Sequence, residues 1–143
     1  MIGAPLLITV AIQLGIQLYK VVFYSVRHTE LQLWRFTSAG GMPSAHSASV
    51  CGLATTIGLQ TGFSSPLFGV ALGFACVVMF DAQSVRLAAG RQARVLNQIF
   101  DSLFKEHHLP QQKLRELLGH TRVEVFAGMA TGICTALVIH VWA

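Results

Sequence analysis

The sequence predicts an all-α, polytopic membrane helix bundle with about four crossings plus one or two amphipathic or cytoplasmic helices, forming a single integral membrane domain over residues 1–143. Three observations carry this prediction. The chain is 53% hydrophobic and only 11% charged, with a mean hydropathy of +0.59, a balance outside that of ordinary soluble domains. Its apolar residues gather into the runs Ile2 to Tyr19, Ser47 to Phe63, Pro66 to Phe80 and Val123 to Trp142, which hold one formal charge, Glu124. All ten Lys and Arg and all six Asp and Glu fall within Lys20 to Arg35 or Asp81 to Glu124.

The first run approaches the ~20 residues needed to cross a ~30 Å hydrocarbon core. It has no basic segment before it and no small-x-small cleavage site after it, so it reads as a spanning helix and not as a signal peptide. Lys20 to Arg35 follows as a charged loop. The second run and the short third run, Pro66 to Phe80, are joined by the uncharged turn Gln60 to Ser65. The last run ends the chain. If the chain crosses at each run, both charged segments share one side, and the basic-inside rule makes that side cytoplasmic, with both termini outside.

Within Asp81 to Glu124, "RVLNQIFDSLFKEHH" places Leu96, Ile99, Leu103 and Phe104 on one stripe and Arg94, Asp101 and Lys105 on the other side. That is the pattern of an amphipathic helix at the membrane surface, or of a cytosolic hairpin packed on its own apolar stripe. Pro110 ends it. A shorter turn, "QQKLRELLG", is expected to stop at Gly119 in a left-handed cap. Glycine pairs at four-residue spacing, Gly58 and Gly62, Gly69 and Gly73, Gly128 and Gly132, allow close helix approach, either within one chain or in a homodimer. Cys51, Cys76 and Cys134 all sit in apolar runs, where neither a disulfide nor thiol chemistry is expected.

Polar residues cluster at the ends of the runs. In "GGMPSAHSA", Gly40 and Gly41 give backbone freedom, and Pro43 suits the first turn of a helix. Such a helix start presents free N–H groups and its dipole to an anion such as phosphate. Ser44 either donates to that anion or caps the helix, and His46 either exchanges a proton with it near neutrality or rests at the membrane surface. In "GHTRVEVFAG", His120 and Glu124 lie four residues apart, so the carboxylate can accept the ring N–H and leave the other nitrogen nucleophilic. Thr121 and Glu124 also match a capping box. Both readings hold together only if His120 folds back at the helix start.

The third cluster is "DAQSVRLAAGRQARVLN". Asp81 would be costly in hydrocarbon and should face water, a cation or a basic side chain. Arg86 can hold phosphate oxygens in its planar fork, whereas Arg91 and Arg94 are explained as basic flanks. Lys20 reaches the same place or snorkels to the surface.

These residues resemble the divergent branch of the type 2 phosphatidic acid phosphatase superfamily, which is related to acid phosphatases and vanadium haloperoxidases. The likeness runs from Gln17 to Lys20 through "GGMPSAHSA" and "DAQSVRLAAGRQARVLN" to "LRELLGHTRVEVFAG". It implies His46 as general acid, His120 as nucleophile and Glu124 as its partner, with Ser44 binding phosphate. Lys20 and Arg27 have the spacing of the superfamily's first motif, with His28 in place of its proline. Arg115 stands one residue closer to His120 than the superfamily's arginine and lacks the serine before it, and Arg86, after Ser84 and Val85, is the alternative source of that function.

The expected function is therefore an integral membrane phosphatase that hydrolyses a lipid phosphate monoester, of phosphatidylglycerophosphate or phosphatidate type, through a phosphohistidine. No cofactor is required, and Asp81 with the substrate phosphate would admit Mg²⁺. The expected partners are the bilayer and a phospholipid, not nucleic acid. The alternative is a non-enzymatic membrane protein that binds anionic lipid heads or a partner through its basic cytoplasmic face. A small transporter subunit, with Gln13, Gln17, Thr55, Thr56 and Thr135 as its polar residues, is a third.

Overall fold

The structure is a computed structural model that describes residues 5–28, 31, 33–36, 41–103, 114 and 119–142. Its elements are α1 (Pro5–His28), a short 3₁₀ turn (Leu33–Phe36), α2 (Ala45–Thr61), α3 (Pro66–Gln83), α4 (Val85–Leu103) and α5 (Arg122–Trp142). Among the described residues there is no strand. Three helices are long and apolar enough to cross a membrane: α1, the helical stretch that begins with α3, and α5. The fourth expected crossing, α2, has 17 residues and sits at the short end of what spans a bilayer.

Lateral position separates α2 from the others. Ten of its residues are buried, from Ala45 to Gly58, whereas α1, α3 and α5 turn large apolar side chains outward, among them Leu14, Val70, Phe74, Val77 and Val138. Small residues in the middle and leucine, valine and phenylalanine outside is the arrangement that lipid permits, because hydrocarbon gives those side chains no reason to be buried. The helices around α2 are therefore held by close packing.

That packing follows the small residues. Gly128 and Gly132 of α5 lie against Ser44 and Ala48 of α2, so near that a Cβ at Gly128 would overlap the Ser44 carbonyl and one at Gly132 the Ala48 carbonyl. The matched order of these pairs makes α2 and α5 parallel. Gly52, the next small residue on α2, meets the Gly132 carbonyl and Ile12 of α1. On its other side α1 packs Ile8, Ile12 and Ile16 on Ala45 and Ala48, and Ser49 of α2 donates a 2.6 Å hydrogen bond to Gln13. These contacts run α1 antiparallel to α2. The α2–α3 hairpin turns at Gly62, whose φ of 89° suits glycine, and Ser65 caps α3 by accepting from Phe68 N–H at 3.2 Å.

Two expected boundaries move. α2 begins at Ala45 with Ser44 as its N-cap, so Pro43 lies just outside the first turn. A serine hydroxyl satisfies a first-turn N–H there, which proline cannot do. The amphipathic helix begins at Val85, only Ser84 separating it from α3, because no proline intervenes before Arg94 and the lone Gly90 is carried within the helix. Its predicted end at Pro110 lies outside the described residues, as does most of "QQKLRELLG". Gly119 has a φ of 93°, the left-handed conformation expected of it.

The chain direction collects the polar clusters. The C-terminal ends of α1 and α3 and the N-terminal ends of α2, α4 and α5 all meet at one end of the bundle, with Lys20, Asp81 and Glu124.

Candidate functional site

Three local features bring His120 and Glu124 together. Thr121 is the N-cap of α5, and the capping box forms in both directions: Glu124 N–H donates to Thr121 Oγ1 at 3.3 Å, and Thr121 N–H donates to Glu124 Oε2 at 2.9 Å. His120, just before the cap, folds back so that its Nδ1 lies 3.2 Å from the same Oε2. The carboxylate thus closes the capping box and holds the imidazole at once. The two readings of Glu124 are complementary.

The end of α3 fixes the backbone of His120. Its N–H donates to the Ala82 carbonyl at the end of α3, at 3.0 Å. Upstream, the buried Asn97 of α4 bonds both backbone groups of Leu114, Nδ2 to the carbonyl at 2.9 Å and Leu114 N–H to Oδ1 at 3.0 Å. A primary amide pairs with a peptide in this way because it carries the same donor and acceptor. Neither Ala82 nor Asn97 stands out in the sequence as part of a site, although an asparagine among the apolar residues of an amphipathic helix is a signal of a buried polar partner.

His46 comes from the other parallel helix. It is the second residue of α2, and its ring centroid lies 6.4 Å from that of His120, with the planes 58° apart. The Ser44 N–H donates to the Glu124 carbonyl at 3.0 Å, which ties the two helix starts directly. Ser44 itself is fully buried. Its hydroxyl accepts from Ser47 N–H at 3.4 Å and from Ser47 Oγ at 3.1 Å, so in this conformation it caps α2 and supports the floor of the site.

Lys20 completes the cluster. It lies within α1, two turns before the helix ends, and is only 3% exposed. It does not snorkel to the surface but turns into the bundle, where its charge is felt at His120. Burial pushes the His120 imidazole below the ordinary histidine range. The hydrogen bond to Glu124 pulls it back up, and the charges of Lys20 and His46 push it down again. The net direction is down, which favours a neutral ring at neutral pH.

Two parallel helix N-termini lie side by side, each with the partial positive charge of its dipole; the Glu124 carboxylate offsets that of α5, whereas α2 has no acidic residue in its first turn. The two imidazoles stand 6.4 Å apart, centre to centre, beside these helix starts.

A family model described as the divergent PAP2 family matches residues 2–135. The chain belongs to the divergent PAP2 family. A relative, the protein named "Uncharacterized membrane protein YuiD" from Bacillus subtilis (strain 168), is 41% identical over 146 residues, covering 94% of this chain and 92% of its own. No solved structure matches. Family membership and this relative agree with an integral membrane protein.

Within this divergent PAP2 protein the expected residues divide into two groups. His46, Ser44, His120, Glu124 and Lys20 converge. Asp81 lies in the last turn of α3, next to the residue whose carbonyl holds His120. Among the described residues no three His, Cys, Asp or Glu side chains are placed to hold a metal. Arg86 begins α4 at the same end of the bundle, its side chain being outside the described residues, as is the whole of Arg115.

Proposed function

We propose that this protein is an integral membrane phosphatase that hydrolyses a lipid phosphate monoester through a phosphohistidine on His120. The observation that carries the reading is the 6.4 Å approach of the His46 and His120 rings over two helix N-termini, with Glu124 on His120 Nδ1.

Glu124 accepts a hydrogen bond from Nδ1–H, which leaves the lone pair on Nε2. That nitrogen attacks phosphorus, the bond to the ester oxygen breaks, and protonated His46 gives its proton to the departing alkoxide. Water then attacks the phosphohistidine, neutral His46 takes its proton, and the P–N bond breaks to release phosphate. Charge spread over the nonbridging oxygens in each transition state is met by Lys20, by the helix starts and, in this reading, by Arg86. A magnesium ion would draw on Asp81 and the substrate's own oxygens; no step above is routed through it.

In this reading, supported by the basic-inside rule, this end of the bundle faces the cytoplasm and both termini lie outside, which favours a lipid phosphate made at the inner face, phosphatidylglycerophosphate or phosphatidate. Phosphate release from a panel of lipid phosphates by the purified protein tests the reading, with His120→Ala and His46→Ala as controls. Loss of about 10³-fold or more in His120→Ala is expected; turnover undiminished in that variant overturns the mechanism, and no turnover of any lipid by the wild type favours a protein that only binds lipid heads or a partner. Labelling of a cysteine at position 46 from outside the cell would reverse the orientation.

A further inference from the structure

Two buried polar side-chain atoms among the described residues have no hydrogen-bond partner, Gln17 Oε1 and His140 Nδ1. His140 lies at the far end of α5, whereas Gln17 belongs to the histidine end of the bundle. Resting on the phosphatase reading, we propose that Gln17 binds the water that hydrolyses the phosphohistidine and turns it toward phosphorus.

Gln13, Gln17 and Lys20 follow one another at spacings of four and three, so they share one face of α1. The 2.6 Å hydrogen bond from Ser49 to Gln13 Oε1 shows that this face is turned toward α2. Because α1 and α2 are antiparallel, one turn from that bond toward the polar end leads to Gln17 on α1 and to Ala45 and His46 on α2. The next turn leads to the buried Lys20, whose charge is felt at His120. Gln17 therefore stands at the floor of the site, level with the start of α2. The residue is half-buried and its carbonyl oxygen is fully enclosed, which costs free energy unless a donor comes to it during the reaction.

The chemistry identifies that donor. Attacking and leaving groups on phosphorus stand in line, so the water that displaces His120 enters where the alcohol left, on the His46 side. One of its protons goes to His46. The other stays on the oxygen and needs an acceptor that turns the lone pair toward phosphorus. Lys20 and the helix N–H groups only donate, the Ser44 hydroxyl is engaged by Ser47, and Glu124 Oε2 is engaged by Thr121 and His120. An amide carbonyl accepts without taking the proton, so Gln17 orients the water and His46 remains the base. The P–O bond forms, the P–N bond breaks, and the second proton leaves on the released phosphate. The ester oxygen of the substrate carries no proton to offer, so Gln17 acts in the second half of the reaction.

The test separates the two halves. Gln17→Leu and Gln17→Met, which lack the carbonyl, are made in the full chain, with Gln13→Leu as control, because Gln13 is one turn deeper and already bonded to Ser49. Phosphatidate or phosphatidylglycerophosphate, whichever the wild type turns over faster, is labelled in its phosphate and supplied with and without methanol. Methanol has one hydroxyl proton, which His46 takes, so its attack needs no second acceptor. In both Gln17 variants the decay of labelled protein after a chase with unlabelled lipid is expected to slow about tenfold, the worth of one hydrogen bond, while kcat/KM, set by the first half, holds. The ratio of methyl phosphate to free phosphate is expected to rise by the same factor. Gln13→Leu is expected to lower the melting temperature and leave that ratio at its wild-type value. An unchanged ratio, equal losses of both products, or a fall in kcat/KM would overturn the role of Gln17 while the loss of turnover in His120→Ala still upholds the phosphatase. Failure of the phosphatase reading is distinct: the wild type releases no phosphate, or His120→Ala releases it undiminished, and the role of Gln17 falls with it. If one Gln17 variant does not fold, the other decides.

Discussion

Gly128 and Gly132 on α5 have the same four-residue spacing as Gly69 and Gly73 on α3, yet they do different things. The first pair lets two helix backbones touch, against Ser44 and Ala48, whereas the second pair has nothing within 4 Å of either position. The difference lies in the partner. Opposite Gly128 and Gly132, α2 offers Ser44, Ala48 and Gly52 at the same spacing, so small meets small along a seam. That seam also sets His46 beside His120, because its parallel register brings both helix starts level. Spacing permits contact; complementary spacing on a second helix makes it.

The largest effect should follow from widening the seam. Gly132→Val pushes a branched side chain into the Ala48 carbonyl and should cost about 3 kcal/mol or more, seen as loss of the folded protein in a detergent melt and of any activity with it. Gly128→Ala, the smallest such intrusion, should cost about 1–3 kcal/mol. Asn97→Ala strands two backbone groups of Leu114 and should cost on the order of 1–3 kcal/mol by the same melt. Ser44→Ala removes a cap and should cost about 1 kcal/mol. Gly69→Ala and Gly73→Ala should show the opposite sign, a gain of up to about 1 kcal/mol from helix propensity. If both pairs responded alike, the contrast between seam and outer face would be wrong.

A smaller effect tests the electrostatics. The His120 pKa is lowered in the folded protein, chiefly by burial, so the unfolded chain binds its proton first as pH falls. Stability from this residue is complete above about 6.5 and declines as pH drops from there toward the lower folded value. A plot of melting temperature against pH should show that acid slope in the wild type and lose it in His120→Gln. Lys20→Met removes a charge that lowers the pKa and should shorten the slope from its acid end, whereas Glu124→Gln removes a group that raises it and should extend the slope to lower pH. Imidazole chemical shifts report the same order.

Much of this was legible in residues. Charge segregation put Lys20, Asp81 and Glu124 at one end of the bundle, and the spacing of His120, Thr121 and Glu124 named the capping box and the histidine partner together. Three things were not legible. The depth of Lys20 escaped because an apolar run shows where hydrophobicity stops, not where the helix stops, and α1 continues to His28. The supports of His120 escaped because a backbone carbonyl such as that of Ala82 has no sequence signature. The start of α2 moved from Pro43 to Ala45 because a proline and a serine in succession both favour a helix start, and local sequence does not say which stands inside. The choice among the glycine pairs needed the partner helix, which is tertiary information.

The central claim is that His120 becomes phosphorylated while His46 serves the leaving group. The most direct measurement is an alkaline quench of the purified protein during turnover of a phospholipid monoester labelled in its phosphate, followed by mapping of the label. The account predicts label on the peptide that carries His120, absent in His120→Ala and scarce in Glu124→Gln. Phosphate released by His120→Ala at the wild-type rate, or label on another residue, would contradict it.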